Sequence, residues 1–258
     1  MIIREYKNDN APKIKKVGNK MIPYIDPPVD KPLPNMMGFR MVIAGAPGRG
    51  KSTVGLSLLR NQYRGRFDNV YVIMPSTSLE GLGDKDPIKI HCQENPQKYW
   101  SELNDGTLSE LLQDLETNKF NVEQEYGKDE DGNDILEKEY NDPLTSIVFI
   151  DDMSPELKKV DVLLSKLFTT SRHLNCCIIL LCHCIRQLPT NVRKNMSHII
   201  LFKPANKKET ECVDEVIPLD SKDLNLLFDY VFKDNHDFLY YDVVNGDYFK
   251  NFNRLEIG

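Results

Sequence analysis

The chain has 258 residues, of which 40% are hydrophobic and 28% are charged, an ordinary composition for a globular protein. No run approaches the ~18 consecutive apolar residues that a membrane-spanning helix needs. The N-terminus is charged within a few residues and lacks the apolar core of a secretory signal. These features exclude disordered and membrane-spanning classes. They predict a compartment with cytoplasm-like chemistry, in which the six cysteines stay reduced.

The net charge of −6 conceals a segregation of sign along the chain. Residues 123–142 contain nine acidic residues and two lysines, a balance of −7. Residues 171–208 contain no Asp or Glu and seven Lys or Arg, a balance of +7. A protein that is acidic overall can therefore still present a basic surface that contacts phosphates.

The first part of the chain is predicted to be an arm followed by a strand, a glycine-rich loop and a helix. Residues 1–38 mix lysines with prolines, which favours an extended N-terminal arm. The apolar run 39–44 is typical of a buried strand. After the glycine-rich loop, apolar residues at helical spacing predict a helix that ends near residue 62.

The middle of the chain is predicted to hold a second strand and a long helix. The strand is expected at 70–74, and we interpret 76–98 as a loop with one short strand at 88–90. Leucines at helical spacing predict a helix over 100–118. The acidic segment 121–142 is predicted to be a surface insertion in the core.

The remaining elements alternate between strands and helices. The core elements are predicted in the order strand, helix, strand, short helix and strand, at 147–150, 155–170, 177–181, about 191 and 198–202. Residues 206–258 are predicted to form a C-terminal extension, with a helix at 221–232 and a β-hairpin that turns at Asn245 and Gly246. This alternation predicts an α/β core over 39–205 with a mostly parallel sheet flanked by helices.

The glycine-rich loop matches every position of the phosphate-binding P-loop pattern G-x-x-x-x-G-K-[ST]. Its residues, all candidates for nucleotide binding together with the adjoining Thr53, are Gly45, Ala46, Pro47, Gly48, Arg49, Gly50, Lys51 and Ser52. In such a loop backbone N–H groups face the phosphates, and glycines allow the close approach. Lys51 supplies a positive charge to the β- and γ-phosphates, and Ser52 supplies an oxygen ligand to Mg²⁺. The sequence therefore predicts a site for ATP with Mg²⁺.

Two carboxylates follow the apolar strand at 147–150 and complete the predicted site. Asp151 is expected to hold Mg²⁺, and Asp152 is expected to polarise the attacking water. The alternative is that Asp152 caps the following helix. About a hundred residues separate Lys51 from Asp151, with a strand-like run between them. This spacing suggests the division of P-loop proteins in which an extra strand lies between the two nucleotide-binding strands.

Two further polar residues are candidates for catalytic roles. His183 follows the strand at 177–181, where such proteins often place a γ-phosphate sensor; a histidine satisfied by backbone or solvent is the alternative. Arg172 precedes that strand and could reach the γ-phosphate of a neighbouring subunit, because a planar guanidinium can pair with two phosphate oxygens. A solvated surface arginine is the alternative for Arg172, and Arg186 and Arg193 compete for the same role.

Together these residues resemble the viral genome-packaging ATPases of the FtsK-HerA superfamily, the type found in poxviruses, other large DNA viruses and virophages. The resemblance covers roughly residues 38–205. The segments that carry it are the P-loop, Phe149-Ile150-Asp151-Asp152, Ser171-Arg172-His173-Leu174-Asn175 with the strand and His183 that follow, and Gln187-Leu188-Pro189-Thr190-Asn191-Val192-Arg193-Lys194-Asn195. His183 departs from the family, which typically carries Gln at the sensor position.

The resemblance implies a RecA-like P-loop fold in a homo-oligomeric ring, a pentamer or hexamer, that threads double-stranded DNA into a capsid by hydrolysing ATP. Arg172 would serve the nucleotide of the next subunit. The acid-free stretch, with Arg186, Arg193 and Lys194, could face the channel and contact DNA phosphates without reading bases. The family also implies a capsid-vertex or membrane-associated viral partner, and a location in the virion or at assembly sites in the host cytoplasm.

Other classes of P-loop protein are the competing interpretations. A regulatory GTPase is disfavoured because residues 206–209 place Glu209 where a guanine-reading motif needs Asp. A small-molecule kinase would bring an arginine-rich lid, which the sequence lacks as a compact segment. A nucleotide-dependent assembly or scaffold protein that hydrolyses ATP poorly stays open as an alternative.

Overall fold

The computed structural model describes residues 25, 28–128 and 134–256. Most strands belong to one sheet. They are β1 (Arg40–Ala44), β2 (Asn69–Ile73), β3 (Tyr99–Trp100), β6 (Ser146–Ile150), β7 (Cys176–Cys182), β8 (His198–Phe202), β9 (Phe238–Asp242), β10 (Asp247–Lys250) and β11 (Asn253–Leu255), with β4 (Phe120–Lys128) and β5 (Asp134–Pro143) forming a separate antiparallel pair. The helices are α1 (Lys51–Ser57), α2 (Ser76–Glu80), α3 (Pro87–Glu94), α4 (Asp105–Thr117), α5 (Asp161–Thr170), α6 (Thr190–Asn195), α7 (Lys207–Asp214) and α8 (Ser221–Val231).

The order of strands in the nine-stranded sheet is β11-β10-β9-β8-β1-β7-β6-β2-β3. The six strands from β8 to β3 pair in parallel, and β9, β10 and β11 continue the sheet in antiparallel fashion beyond β8. Every residue of β6 and β7 is buried, as expected for parallel strands covered on both faces. The predicted mostly parallel α/β fold is confirmed.

Helices cover both faces of the sheet, and each face has its own hydrophobic core. Successive side chains of a strand point to opposite sides, so one strand contributes to both cores. Val42 and Ala44 of β1 contribute to the core beneath the helices α4 to α8. Met41 and Ile43 of the same strand contribute to the opposite core, with α1, α3 and the described part of the N-terminal arm. Residues 1–24 of that arm lie outside the described residues.

The structure corrects the prediction for residues 76–98, which form two helices instead of a loop with a strand at 88–90. Helix α3 begins at Pro87, and the carboxylate of Asp86 accepts a hydrogen bond of 2.9 Å from the backbone N–H of Ile88. Ile88 and Cys92, four residues apart, are both buried. A capped helix start and a helical apolar face therefore outweigh the short Ile-Lys-Ile alternation that suggested a strand.

Two predicted helices begin later than expected. The helix expected from residue 100 begins at Asp105, where the side chain of Asn104 caps it by accepting from the N–H of Thr107 at 2.9 Å. The helix expected from residue 155 begins at Asp161. The described parts of the acidic segment, 121–128 and 134–142, belong to β4 and β5, which pair with each other and not with the main sheet. No helix in the described ranges is long and apolar enough to cross a membrane.

Candidate nucleotide-binding site

The topology brings the predicted nucleotide-binding residues to one edge of the sheet. Strand β7 lies between β1, which leads into the P-loop, and β6, which leads into Asp151. The predicted extra strand between the two nucleotide-binding strands is therefore present. Because all three strands are parallel, their carboxyl ends meet at the same edge, and the N–H of Gly45 donates to the carbonyl of Cys182 at 3.2 Å across it.

The P-loop contains glycines at which a side chain would be unfavourable, for two different reasons. Gly48 and Gly50 have φ angles of 76° and 103°, in the region that disfavours side chains. Gly45 is constrained by packing instead, because an added Cβ would lie 2.6 Å from Cβ of Phe202 on β8. Helix α1 begins directly after the loop, at Lys51.

The ammonium group of Lys51 lies inside the loop. Its Nζ donates a hydrogen bond of 3.2 Å to the carbonyl of Ala46, and the residue is 9% exposed. Burial lowers the pKa of Lys51, and the nearby Asp151 opposes that shift. A partly desolvated cation at this position is suited to pair with phosphate oxygens.

Ser52 and Asp151 form the pair of oxygens that suits Mg²⁺. The hydroxyl of Ser52 donates to Oδ1 of Asp151 over 3.3 Å, and Asp151 is 4% exposed. Burial raises the pKa of Asp151, because a carboxylate is poorly solvated there. A buried carboxylate beside a hydroxyl is the hard oxygen donor set that Mg²⁺ prefers, so these residues fit the metal expected from the sequence.

Asp152 follows Asp151 directly and has a left-handed backbone conformation. Its φ angle is 58°, which is rare outside glycine, and the residue is exposed. Its Oδ2 accepts a hydrogen bond of 3.1 Å from the hydroxyl of Ser78. Helix α5 begins nine residues later, at Asp161, so Asp152 does not cap it. Asp and Asn adopt this conformation more readily than most residues, and the catalytic role of Asp152 stays a prediction.

His183 lies at the end of β7, between the P-loop and the two carboxylates. Its backbone N–H donates to Oγ of Ser154 at 3.0 Å, which fixes the chain at this point. Burial is the main cause that lowers the pKa of His183; Lys51 lowers it further and Asp152 opposes. The imidazole therefore lies close enough to Lys51 and Asp152 for their charges to affect its pKa, and its role as a γ-phosphate sensor stays a prediction.

Arg172 lies at the opposite edge of the sheet. It belongs to a 3-10 turn, Ser171–Leu174, that precedes β7, whereas the P-loop lies beyond the far end of that strand. Seven residues of strand span roughly 20 Å, so Arg172 cannot reach the P-loop of its own chain. Its side chain is exposed, and its charge further lowers the pKa of Arg40, which burial already depresses. This placement rules out a role at the nucleotide of its own chain; a role towards another subunit and a solvated surface arginine both stay open.

The three predicted DNA contacts differ in their surroundings. Arg186 and Lys194 are exposed. Arg193 is engaged within the chain, because its Nη1 donates to the carbonyl of Leu188 at 2.7 Å and its Nη2 pairs with Glu215 at 3.2 Å. Arg186 and Lys194 are therefore accessible to DNA, whereas the guanidinium of Arg193 is bonded within the chain.

Several residues near the P-loop were not predicted from the sequence. Ser78 contacts Asp152, and Phe202 packs on Gly45. Asn235 and His236 contact Arg49 from the turn before β9. No motif marks these positions, and only the folded sheet brings them to the loop.

The fold and the site define the class of the chain as a P-loop ATPase fold with an extra central strand. Comparisons with known proteins agree with this class. Residues 128–247 match the family model described as Poxvirus A32 protein. No curated protein sequence matches the chain significantly.

Solved structures of viral packaging enzymes are similar to the chain along most of its length. One is the genome packaging NTPase B204 from Sulfolobus turreted icosahedral virus 2 in complex with ATP-gammaS, with 15% identity, a TM-score of 0.55 and coverage of 86% of this chain and 98% of that one. Another is B204, the DNA-packaging ATPase from Sulfolobus turreted icosahedral virus, with 16% identity, a TM-score of 0.55 and coverage of 86% and 99%. EssC (ATPases 2 and 3) from Geobacillus thermodenitrificans has 13% identity, a TM-score of 0.50 and coverage of 80% and 38%. By themselves these structures show that the fold is shared. Together with the match to the poxvirus family model, they confirm the predicted resemblance to viral genome-packaging ATPases.

Proposed function

We propose that this chain is the ATP-hydrolysing motor that drives a double-stranded DNA genome into a viral capsid. The observation that carries the proposal is the single sheet edge that collects Lys51, Ser52, Asp151, Asp152 and His183, with β7 between the two nucleotide-binding strands. The match to the poxvirus family model and the similarity to two packaging enzymes support the same reaction.

The site divides the work of hydrolysis among its residues. Lys51 and the loop N–H groups bind the β- and γ-phosphates, and Ser52 and Asp151 hold Mg²⁺. When bound, the metal neutralises charge on the phosphate oxygens. Asp152 orients the attacking water and accepts its proton, and His183 hydrogen-bonds the γ-phosphate from the end of β7.

The proposed motor is a homo-oligomeric ring, a pentamer or hexamer, as the family resemblance implies; the position of Arg172, away from the P-loop of its own chain, is compatible with such a ring. Arg172 supplies positive charge to the γ-phosphate of the next subunit. Arg186 and Lys194, from the stretch without acidic residues, contact phosphates of the DNA in the channel. The ring acts in the virion or at assembly sites in the host cytoplasm, docked on a capsid-vertex or membrane-associated viral protein.

The test is the ATPase rate with and without duplex DNA, measured beside the mass of the assembly. We expect duplex DNA to stimulate the rate and the mass to correspond to a ring. Lys51→Ala should lose nucleotide binding, and Asp152→Asn should bind ATP normally while turnover falls roughly 10²- to 10⁴-fold. Asp229→Asn, an exposed carboxylate on α8, is the matched control and should keep the wild-type rate.

Two outcomes would contradict the proposal. Turnover that is indifferent to duplex DNA would favour a nucleotide-dependent scaffold or a small-molecule kinase. Normal turnover in Asp152→Asn would place the base elsewhere in the site.

A further inference from the structure

A turn that is remote in sequence contacts the P-loop. Residues 232–237 connect α8 to β9, and β9 is antiparallel to β8 with Phe238 opposite Phe202. The start of β9 therefore lies at the carboxyl edge of the parallel strands. This places the turn beside the P-loop, on the side away from β7.

Two side chains of the turn hold Arg49, the loop residue between the two positive-φ glycines. Oδ1 of Asn235 accepts a hydrogen bond of 2.7 Å from Nη1 of Arg49. Nδ1 of His236 lies 3.2 Å from the backbone carbonyl oxygen of Arg49. A carbonyl oxygen can only accept, so Nδ1 carries the proton and donates it.

The bond from His236 fixes a peptide plane of the loop. In a trans peptide the C=O of one residue and the N–H of the next point in opposite directions. Because the carbonyl of Arg49 is held towards His236, the N–H of Gly50 points away from the turn. P-loops bind phosphate through such N–H groups, so the direction of this one matters for affinity.

The turn is itself firmly anchored. Asp237 is 6% exposed, and its Oδ2 accepts from the backbone N–H groups of Lys233 at 3.1 Å and Asp234 at 2.9 Å. Lys250, the last residue of β10, and Asn251, which follows it, also bind its carboxylate, at 3.0 Å and 2.6 Å. Because the turn is anchored, its side chains can hold the P-loop in place. The loop needs this support because Gly48 and Gly50 leave its backbone flexible.

We propose that Asn235 and His236 are positioning residues of the nucleotide site, which hold Arg49 so that the N–H of Gly50 faces the bound phosphate. The inference rests on the proposed function, because it needs the loop to bind a nucleotide. The turn before β9, in the antiparallel extension of the sheet, would then belong to the nucleotide site together with the P-loop and the segments that follow β6 and β7.

The experiment measures the dissociation constants of a fluorescent ATP analogue with Mg²⁺ and of pyrophosphate by displacement, together with kcat. His236→Ala should weaken both ligands by the same factor, roughly threefold to tenfold for one lost hydrogen bond, while kcat at saturation changes less than about twofold. His236→Asn should restore most of the affinity, because the asparagine amide can donate near the position of Nδ1. Asn253→Ala, an exposed amide on β11, is the control for Asn235→Ala and should keep wild-type affinity.

The two contacts can be separated in an Arg49→Ala background, because that variant keeps its carbonyl and loses its guanidinium. There the effect of His236→Ala should persist and that of Asn235→Ala should vanish.

Three results would overturn the inference. The first is wild-type affinity in His236→Ala. The second is equal loss in His236→Asn and His236→Ala, and the third is weakened ATP with unchanged pyrophosphate, which would mean that the turn acts on base or ribose. If the wild-type chain binds neither ligand, that result contradicts the proposed function, and the inference that rests on it is then also wrong.

Discussion

Replacing Gly45 by alanine tests whether packing, and not backbone freedom, shapes the entry to the P-loop. The φ angle of Gly45 is not in the left-handed region, so an alanine meets no backbone penalty there. Its Cβ would, however, lie 2.6 Å from Cβ of Phe202 and 3.2 Å from two atoms of its ring. Cβ of Phe202 moves only with strand β8, so relief requires the sheet to shift.

The expected cost follows from overpacking. Forcing a methyl group into a packed core costs about 1–3 kcal/mol. For a chain of this size, each kcal/mol lowers the melting temperature by about 2–4 °C. We expect Gly45→Ala to melt roughly 2–12 °C below wild type and to bind nucleotide more weakly, because Gly45 is the first residue of the P-loop and the shift displaces the loop.

Two other glycines separate the possible causes. At Gly48 an added Cβ meets nothing within 4 Å, but the φ angle is 76°, so Gly48→Ala should cost about 1 kcal/mol from backbone strain alone. At Gly83 the space is open and no positive φ occurs, so Gly83→Ala should be neutral or stabilising. The assay is urea and thermal unfolding followed by circular dichroism. If Gly45→Ala is as stable as Gly83→Ala, the packing argument is wrong.

Two further predictions concern the edge of the sheet opposite the P-loop. Mixing Arg172→Ala into wild-type rings should reduce ATPase activity beyond its mole fraction, because each altered chain disables a neighbour's site; a loss linear in mole fraction would contradict action between subunits. Burial lowers the pKa of His198 to about 4, so the native state holds it neutral while the unfolded chain binds a proton near the ordinary value of 6.5. Stability should therefore fall as the pH drops from 6.5 towards 4, and His198→Gln should lessen that fall in urea unfolding measured at pH 7.5 and 5. An unchanged pH dependence in His198→Gln would assign the effect to other groups.

The parts of the site that can be predicted from the sequence are those formed by residues that are consecutive in the chain. The P-loop and the carboxylates after β6 are local patterns, and the length of chain between them pointed to the extra strand. The roles of the individual site residues stay predictions. Helix α7 was missed although its start carries a capping signal, in which Oδ1 of Asn206 accepts from the N–H of Glu209 at 3.1 Å. In the sequence analysis, residues 206–209 were compared only with a guanine-reading motif.

Contacts between distant segments could not be predicted, because they depend on strand order. Arg49 and Asn235 are separated by 186 positions and meet because β9 pairs beside β8. Arg172 is a second case, in which the structure separates two sites instead of joining them. Its position before β7 was visible in the sequence, but its distance from the P-loop became apparent only with the direction of the strand.

The direction of β7 also constrains how subunits must meet if Arg172 acts on a neighbour. The P-loop and Asp152 lie at the carboxyl edge of the parallel strands, and Arg172 lies at the amino edge. A two-fold symmetric contact places Arg172 at the partner's nucleotide only if both lie within the one self-complementary surface patch that the two copies share. A head-to-tail contact joins unlike surfaces, and repeated by rotation it closes into a ring. A ring therefore meets the requirement without placing Arg172 and the P-loop in one patch, because every subunit both offers Arg172 and receives one.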